Sequence, residues 1–176
     1  MKIIDDFLPL KQFERIRDNL MSNSFPWYWY DYQVFEGDGQ HQLVHGFMND
    51  TQIDSIWFDL FVKSDCFTLW DKDGVTVFKV KANLNYKTPE HVMGKWHTDF
   101  RDKKTRKDMQ TAILYINTNN GYTAFKNGDK VESVANRLVM FDCSTEHAAV
   151  SCTDEDRRIV VNFNFKPKNK PKGFAS

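Results

Sequence analysis

The feature that most constrains this fold is a series of short β-strand patterns, separated by turn residues, in the second half of the chain. Val75 to Tyr86 alternates apolar and polar side chains, and Asn127-Gly128 is a pair typical of a tight turn between strands. Further strand patterns cover 109–116, 122–125, 130–134, 136–142 and 158–165. Many short strands with helical patterns gathered at the N-terminal end indicate a mainly β fold, a double-stranded β-helix or jelly roll.

The first half of the chain contains two predicted helices. Apolar residues recur at helical spacing from Leu10 to Met21. A second helix is predicted to follow an N-cap at Asn49-Asp50-Thr51 and to continue through Phe61. Between them, the aromatic segment Pro26 to Phe35 favours a strand.

Length and composition limit the class of protein. The 176 residues predict one domain, in which 1–75 provide helical support and flanking strands and 76–166 form the jelly-roll core. With 24 basic and 24 acidic residues, the chain has no net charge that would attract nucleic acid or a membrane surface. We find no signal-peptide pattern and no apolar run long enough to cross a membrane, so a cytoplasmic protein is expected.

The chain has three cysteines, Cys66, Cys143 and Cys152. An odd number without the spacing of a zinc site predicts free thiols in a reducing compartment. Cys143 is predicted to be a buried thiol.

A candidate metal site lies in the segment Lys95 to Phe100. In an extended backbone, residues two positions apart point to the same face, so His97 and Asp99 can converge on one point. Two histidines and one carboxylate form the facial triad of non-haem Fe(II) oxygenases. The pair alone is weak support for such a site, because these residue types often occur at this spacing by chance. A second histidine is required.

Other histidines are less suitable as ligands. His41 and His45 have no acidic residue at ligand spacing and are predicted to be surface or turn residues. His91 lies in the loop before the candidate site and is not predicted to bind metal.

Two polar features have alternative interpretations. The alternation within 75–86 places Val80, Ala82 and Leu84 on one face, and the opposite face carries Lys79, Lys81, Asn83 and Asn85. That polar face either lines a wet pocket or faces solvent. The basic run Arg101 to Lys107 is either a solvated loop or a clamp for an anionic substrate.

Several segments resemble the catalytic half of the Fe(II)/2-oxoglutarate-dependent oxygenases. The similar segments are, in order, Tyr115-Ile116-Asn117, 121–125, 136–142, His147 and 158–163. The resemblance covers about Phe78 to Phe165 and is nearest to the prolyl-4-hydroxylase-like branch and its small phage- and bacteria-encoded members. For a phage-encoded member, the expected location is the host cytoplasm.

The resemblance implies a metal centre and its cosubstrates. His97, Asp99 and His147 are expected to bind Fe(II), with 2-oxoglutarate and dioxygen as cosubstrates and ascorbate as a further possible cofactor. The distal carboxylate of 2-oxoglutarate needs a fixed cation, and the planar fork of arginine suits it. Strand alternation places Arg158 on the pocket face and Arg157 on the other, so we expect Arg158 to bind the carboxylate.

Two further cosubstrate contacts are expected. Tyr115 matches the position at which a family tyrosine donates its hydroxyl to the same carboxylate. Asn83 is expected to bind the cosubstrate from the opposite wall, or Tyr86 if the strand register differs by one residue. Glu146 lies near His147, but nothing in the family pattern assigns it a reaction.

The activity implied by the resemblance is hydroxylation coupled to oxidation of 2-oxoglutarate to succinate and carbon dioxide. The substrate is a small molecule or a peptide, with a prolyl residue among the candidates, and the fold does not choose among these. Two alternatives remain: a cupin-like metal-binding protein or enzyme that does not use 2-oxoglutarate, and a non-catalytic jelly-roll module.

Overall fold

The computed structural model describes residues 1–67, 74–99 and 108–167. The helices are α1 (Leu10–Met21) and α2 (Asp59–Val62), and a 3-10 turn at Ile56–Phe58 directly precedes α2. The strands are β1 (Lys2–Ile4), β2 (Tyr28–Tyr30), β3 (Gln42–Asn49), β4 (Gln52–Ile53), β5 (Val75–Tyr86), β6 (Gln110–Tyr115), β7 (Tyr122–Phe125), β8 (Lys130–Glu132), β9 (Leu138–Asp142), β10 (His147–Val150) and β11 (Arg157–Pro167).

The strands form two antiparallel sheets that face each other. The larger sheet has the order β1-β9-β6-β11-β5-β3-β2, with β4 paired to β3, and the smaller has the order β10-β7-β8. Isolated bridges from Met93 to Val150 and from His97 to His147 add the segment before Asp99 to the smaller sheet. The four strands β5, β11, β6 and β9 therefore face four short extended segments, which is the predicted double-stranded β-helix.

The core lies between the larger sheet and the helices. The buried face of β5 and β11 packs against the apolar face of α1, which begins and ends at the predicted residues. The side chains that form this contact region include Phe13, Ile16, Leu20, Val80, Ala82, Leu84, Ile159, Val161 and Phe163. Because the polar faces of β5 and β11 point the other way, this packing positions them between the two sheets.

The predicted N-cap at Asn49-Asp50-Thr51 was wrong. Asp50 and Thr51 have φ angles of 46° and 68° and form the turn between β3 and β4. The helical segment begins only after Ser55, whose hydroxyl accepts a hydrogen bond from the Trp57 N–H at 3.2 Å. Asn, Asp and Thr favour turns as well as helix N-caps, and here the turn is formed.

The prediction for His45 was also wrong. His45 is 3% exposed in β3, a strand that the sequence pattern did not predict. Its Nδ1 lies 2.7 Å from the carbonyl oxygen of Pro26 and its Nε2 lies 2.8 Å from the hydroxyl of Ser55. His41 is exposed, as predicted.

The predicted aromatic strand is shorter than expected, because within Pro26 to Phe35 only β2 is a strand.

The three cysteines are free thiols, and each is buried. Neither helix within the described residues has the length and apolar character needed to cross a membrane.

Candidate metal centre and its cavity

The structure brings His97, Asp99 and His147 together. One possible ligand atom from each residue lies within 4.8 Å of the other two. The Oδ1 atom of Asp99 is 4.0 Å from Nε2 of His97 and 3.7 Å from Nε2 of His147. Two imidazoles and one carboxylate that converge in this way can hold a divalent first-row metal ion.

The backbone sets the distance between the two histidines. His97 and His147 form an antiparallel bridge in which the N–H of each residue donates to the carbonyl of the other, both at 3.0 Å. Their ring centroids are 4.4 Å apart. Residues far apart in the sequence therefore become a pair through two main-chain hydrogen bonds.

Hydrogen bonds also orient the imidazole rings. Nδ1 of His97 is 3.0 Å from the carbonyl oxygen of Lys95, and Nδ1 of His147 is 3.0 Å from that of Thr145. Because a carbonyl oxygen can only accept, each Nδ1 carries the proton and each Nε2 keeps its lone pair. Burial, together with the nearby His147, lowers the pKa of His97 and favours the neutral ring that binds metals.

Two side chains hold the carboxylate of Asp99. Its Oδ2 accepts hydrogen bonds from the Thr111 hydroxyl at 2.5 Å and from the Asn164 amide at 2.6 Å, which leaves Oδ1 directed at the histidines. Burial acts to raise the pKa of Asp99, but the nearby imidazoles and these hydrogen bonds outweigh it and the pKa is lowered. Sequence reasoning missed both positioning residues.

A cavity of about 170 Å³ extends from this cluster between the sheets. Its wall includes the polar face of β5, formed by Lys79, Lys81, Asn83 and Asn85. Of the two interpretations of that face, a pocket wall is the one observed.

Arg158 lies in this cavity and is 1% exposed. Its Nε donates to the Ser133 hydroxyl at 2.8 Å and its Nη2 to the Thr123 hydroxyl at 3.2 Å. Within the described residues, its buried Nη1 has no hydrogen-bond partner. A buried guanidinium with a free N–H can bind an anionic group of a ligand. Arg157 is less buried, in agreement with the predicted alternation.

Gly121 allows Arg158 to occupy this position. A Cβ atom at residue 121 would lie 2.7 Å from Cδ of Arg158 and 2.9 Å from the carbonyl oxygen of Val150. Such distances are too short for carbon, so a larger residue would displace the arginine or the backbone.

Tyr115 lies behind Arg158. It is fully buried, its hydroxyl donates to the Thr123 hydroxyl at 2.8 Å, and its ring centroid is 5.6 Å from the guanidinium carbon of Arg158. Among the described residues, the cavity lining includes Thr123 but not Tyr115. Thr123 thus accepts from both Tyr115 and Arg158, which leaves its own hydroxyl hydrogen available to the cavity. Sequence reasoning missed Thr123 and Ser133.

Asn83 is 8% exposed and lines the cavity. Tyr86 is 39% exposed and lines a different cavity, of about 240 Å³, which also contains His41. The strand register therefore directs Asn83, and not Tyr86, towards the metal cluster.

The remaining candidates lie outside the cluster. Nδ1 of His91 is 2.8 Å from the carbonyl oxygen of Ser151, and half-buried Glu146 forms an ion pair with Lys126 at 2.8 Å. Cys143 is buried, as predicted. The basic run Arg101 to Lys107 lies outside the described residues.

Comparisons with known proteins agree with this geometry. Residues 84–166 match the family model of the 2OG-Fe(II) oxygenase superfamily. No curated protein matches the chain by sequence.

Solved structures show the same fold at low sequence identity. An oxidoreductase of the 2OG-Fe(II) oxygenase family from Burkholderia pseudomallei has a TM-score of 0.64 and 11% identity, over 88% of this chain and 79% of that one. A prolyl hydroxylase from Trichoplax adhaerens, in complex with a hypoxia inducible factor peptide, has a TM-score of 0.63 and 11% identity, over 99% and 87%. A non-haem α-ketoglutarate-dependent epimerase from nogalamycin biosynthesis has a TM-score of 0.63 and 14% identity, over 98% and 81%.

The family-model match covers residues 84–166, and the solved structures share the fold of this chain. The relatives differ in reaction, since one is named a hydroxylase and another an epimerase. The shared fold therefore does not specify a reaction for this chain.

Proposed function

We propose that this chain is an Fe(II)/2-oxoglutarate-dependent dioxygenase that hydroxylates a small-molecule or peptide substrate, with a prolyl residue among the candidates. The observation that carries the proposal is one cavity that holds both the three-residue cluster and a buried guanidinium with an unpaired N–H. We treat the chain as one catalytic domain, with residues 1–75 as support and 76–166 as the jelly-roll core. A small phage- or bacteria-type member of the prolyl-4-hydroxylase-like branch fits this size.

His97, Asp99 and His147 would hold the iron. Their two neutral imidazoles and one carboxylate match the donor set of the non-haem Fe(II) oxygenases. When bound, Fe(II) supplies the redox chemistry that couples dioxygen and 2-oxoglutarate to substrate oxidation. The protein contributes orientation: Thr111 and Asn164 fix the carboxylate, and the carbonyls of Lys95 and Thr145 fix the rings.

Arg158 would bind the distal carboxylate of 2-oxoglutarate through Nη1. Thr123 would donate its hydroxyl to the same group, and Asn83 would bind the cosubstrate from the facing wall. Tyr115 acts through Thr123, because its own hydroxyl is already bonded there. A cupin-like centre that does not use 2-oxoglutarate has no need for such a cation, so the unpaired Nη1 favours the oxygenase.

Anaerobic titration tests the proposal. Iron-loaded protein is titrated with 2-oxoglutarate while the visible charge-transfer band is followed, and Arg158→Met is compared with Arg157→Met. We expect the apparent affinity of Arg158→Met for 2-oxoglutarate to fall by roughly 10- to 100-fold, because a charge-assisted contact is lost. Arg157→Met, which removes the neighbouring charge outside the cavity, should match the wild type. Absence of the band in wild-type protein would favour the cupin-like alternative.

The substrate can be sought through succinate. Metabolites and prolyl peptides are screened for succinate release with iron and with or without ascorbate, which we propose as an additional cofactor.

Because all three thiols are free and buried, we place the reaction in a reducing compartment such as the cytoplasm. Charge reversal in Arg101 to Lys107 would test whether that run contributes to substrate binding.

A further inference from the structure

Building on the proposed function, we infer that the substrate carries an anionic group, a phosphate or a carboxylate, which Lys79 and Lys81 bind beside the metal centre. Both lysines lie on the cavity face of β5, two residues apart. Two ammonium groups on one wall can share one anion.

The lysines lie at the metal end of the cavity, away from Arg158. Lys79 is in register with Asn164, which holds Asp99, and Lys81 is in register with Asn162. Arg158 is in register with Asn85, four residues further along the strand pair. At about 3.3 Å per residue, these four residues separate the backbone positions of Lys81 and Arg158 by roughly 13 Å. The register therefore places Lys81 and Arg158 at different levels of the strand pair.

Within the described residues, the cavity offers Lys79 and Lys81 little counter-charge. In the part of the chain that the structure describes, Asp99 is the one carboxylate that lines the cavity, against Lys79, Lys81, Lys95 and Arg158. Asp99 and the two carboxylates of 2-oxoglutarate together balance one divalent cation and Arg158. Among the described residues that line the cavity, the charges of the three lysines then have no counterpart. This local excess favours a further anionic ligand.

Lys81 is in an environment that disfavours its charge. Burial, followed by the ammonium of Lys79, lowers the pKa of Lys81 to about 8, and Asp99 opposes this effect only in part. Burial thus leaves the ammonium group of Lys81 poorly hydrated. A bound anion would replace the missing hydration and balance both charges.

Asn162 supplies a second, independent observation. It lines the cavity as the cross-strand neighbour of Lys81 on the same wall. Its side-chain Oδ1 is buried with no hydrogen-bond partner among the described residues. A buried acceptor of this kind needs a donor. A hydroxyl or amide N–H next to the anionic group of the substrate would satisfy it.

The test uses the protein in a form that does not catalyse the reaction. Wild-type protein is saturated with Mn(II) and 2-oxoglutarate, so that Arg158 is occupied, and is then titrated calorimetrically with methyl phosphate in one arm and acetate in the other. Lys79→Met, Lys81→Met and Lys11→Met are titrated in the same way. Lys11 is exposed at the start of α1 and serves as the charge-matched control.

We expect wild type and Lys11→Met to bind one equivalent of at least one of the two anions. In Lys81→Met, the fold-decrease in affinity for that anion should be about ten times the fold-decrease in affinity for 2-oxoglutarate. In Lys79→Met, the decrease in affinity for the anion should be smaller. The arm that responds identifies phosphate or carboxylate as the recognised group.

Three outcomes would overturn the inference. Wild-type protein that binds Mn(II) and 2-oxoglutarate but neither anion has no such subsite. Equal anion affinities in Lys81→Met and Lys11→Met would show that the lysines do not contribute. A larger loss of 2-oxoglutarate affinity than of anion affinity in Lys81→Met would assign the lysines to the cosubstrate. Failure of wild type to bind 2-oxoglutarate at all would instead contradict the proposed function. In that case, titration of the Mn(II)-loaded protein with each anion, without 2-oxoglutarate, would still show whether the lysines bind an anion.

Discussion

The two faces of the central strand pair, β5 and β11, have opposite properties. On one face, Val80, Ala82, Leu84 and Val161 are at most 3% exposed and pack into the core. On the other face, buried polar atoms such as Nη1 of Arg158 and Oδ1 of Asn162 have no partner among the described residues. One face stabilises the fold, and the other carries buried polar groups that a ligand can satisfy.

The histidines show the same contrast. Both ring nitrogens of His45 are engaged within the protein, by Pro26 and Ser55. His97 and His147 use only Nδ1 for the protein and direct Nε2 at Asp99. A buried histidine therefore indicates a metal site only when one nitrogen remains free.

Replacement of a histidine of the metal cluster by alanine should give the largest effect on metal affinity. His147→Ala removes one of three ligands and should weaken metal binding by more than about 100-fold, beyond the effect expected for outer hydrogen-bond partners. His45→Ala should instead lower the free energy of unfolding by roughly 2–4 kcal/mol, because a cavity and unpaired polar groups remain. Equilibrium dialysis with Mn(II) and thermal unfolding measure the two effects. Equal metal affinity in both variants would contradict the contrast, and exposed His41→Ala is the control.

A core substitution tests the opposite face. Phe163→Ala should lower the free energy of unfolding by roughly 3–5 kcal/mol, because a fully buried ring is removed. Its metal affinity per folded molecule should stay near that of wild type, since the side chain points away from the cavity. Chemical denaturation and dialysis below the transition measure both quantities. A parallel loss of metal affinity would show that the two faces are not independent.

The partners of Asp99 allow a finer test. Thr111→Val keeps the side-chain shape but removes one of the two hydrogen bonds to Oδ2, so metal affinity should fall by roughly 10- to 100-fold. Thr76→Val, at an exposed position of β5, is the matched control. Unchanged metal affinity in Thr111→Val would mean that Asn164 alone orients the carboxylate.

Gly121→Ala should give the smallest of these effects. The added methyl group would collide with Cδ of Arg158, so the concentration of 2-oxoglutarate needed for half-saturation should rise by a few-fold to about tenfold. Gly46→Ala is the control, because nothing lies within 4 Å of its Cβ position. Charge-transfer titration measures both variants, and identical curves would indicate that Arg158 moves without loss of function.

Residues with regular alternation were predictable from the sequence. The faces of β5 and β11, and therefore the burial of Arg158 and Asn83, follow from a period of two. The pairing of His97 and Asp99 with His147 needed the family resemblance, because no local pattern indicates a contact between residues so far apart.

The errors have local physical causes. The strand β3 was missed because buried polar residues, Gln42 and His45, interrupt its apolar pattern. The roles of Thr123 and Ser133 depend on side chains meeting across the sandwich, and neither residue has a sequence signal that distinguishes it from a surface hydroxyl. Hydrogen-bond networks of this kind become visible only in three dimensions.

The main-chain bridge between His97 and His147 makes chemical rescue possible. Its two hydrogen bonds involve no side-chain atoms, so the bridge remains when either ring is removed. The His147→Ala protein would then contain a ring-shaped vacancy in an otherwise assembled centre. Free imidazole supplied from solution has the size and the lone pair to fill that vacancy and to restore part of the lost metal affinity.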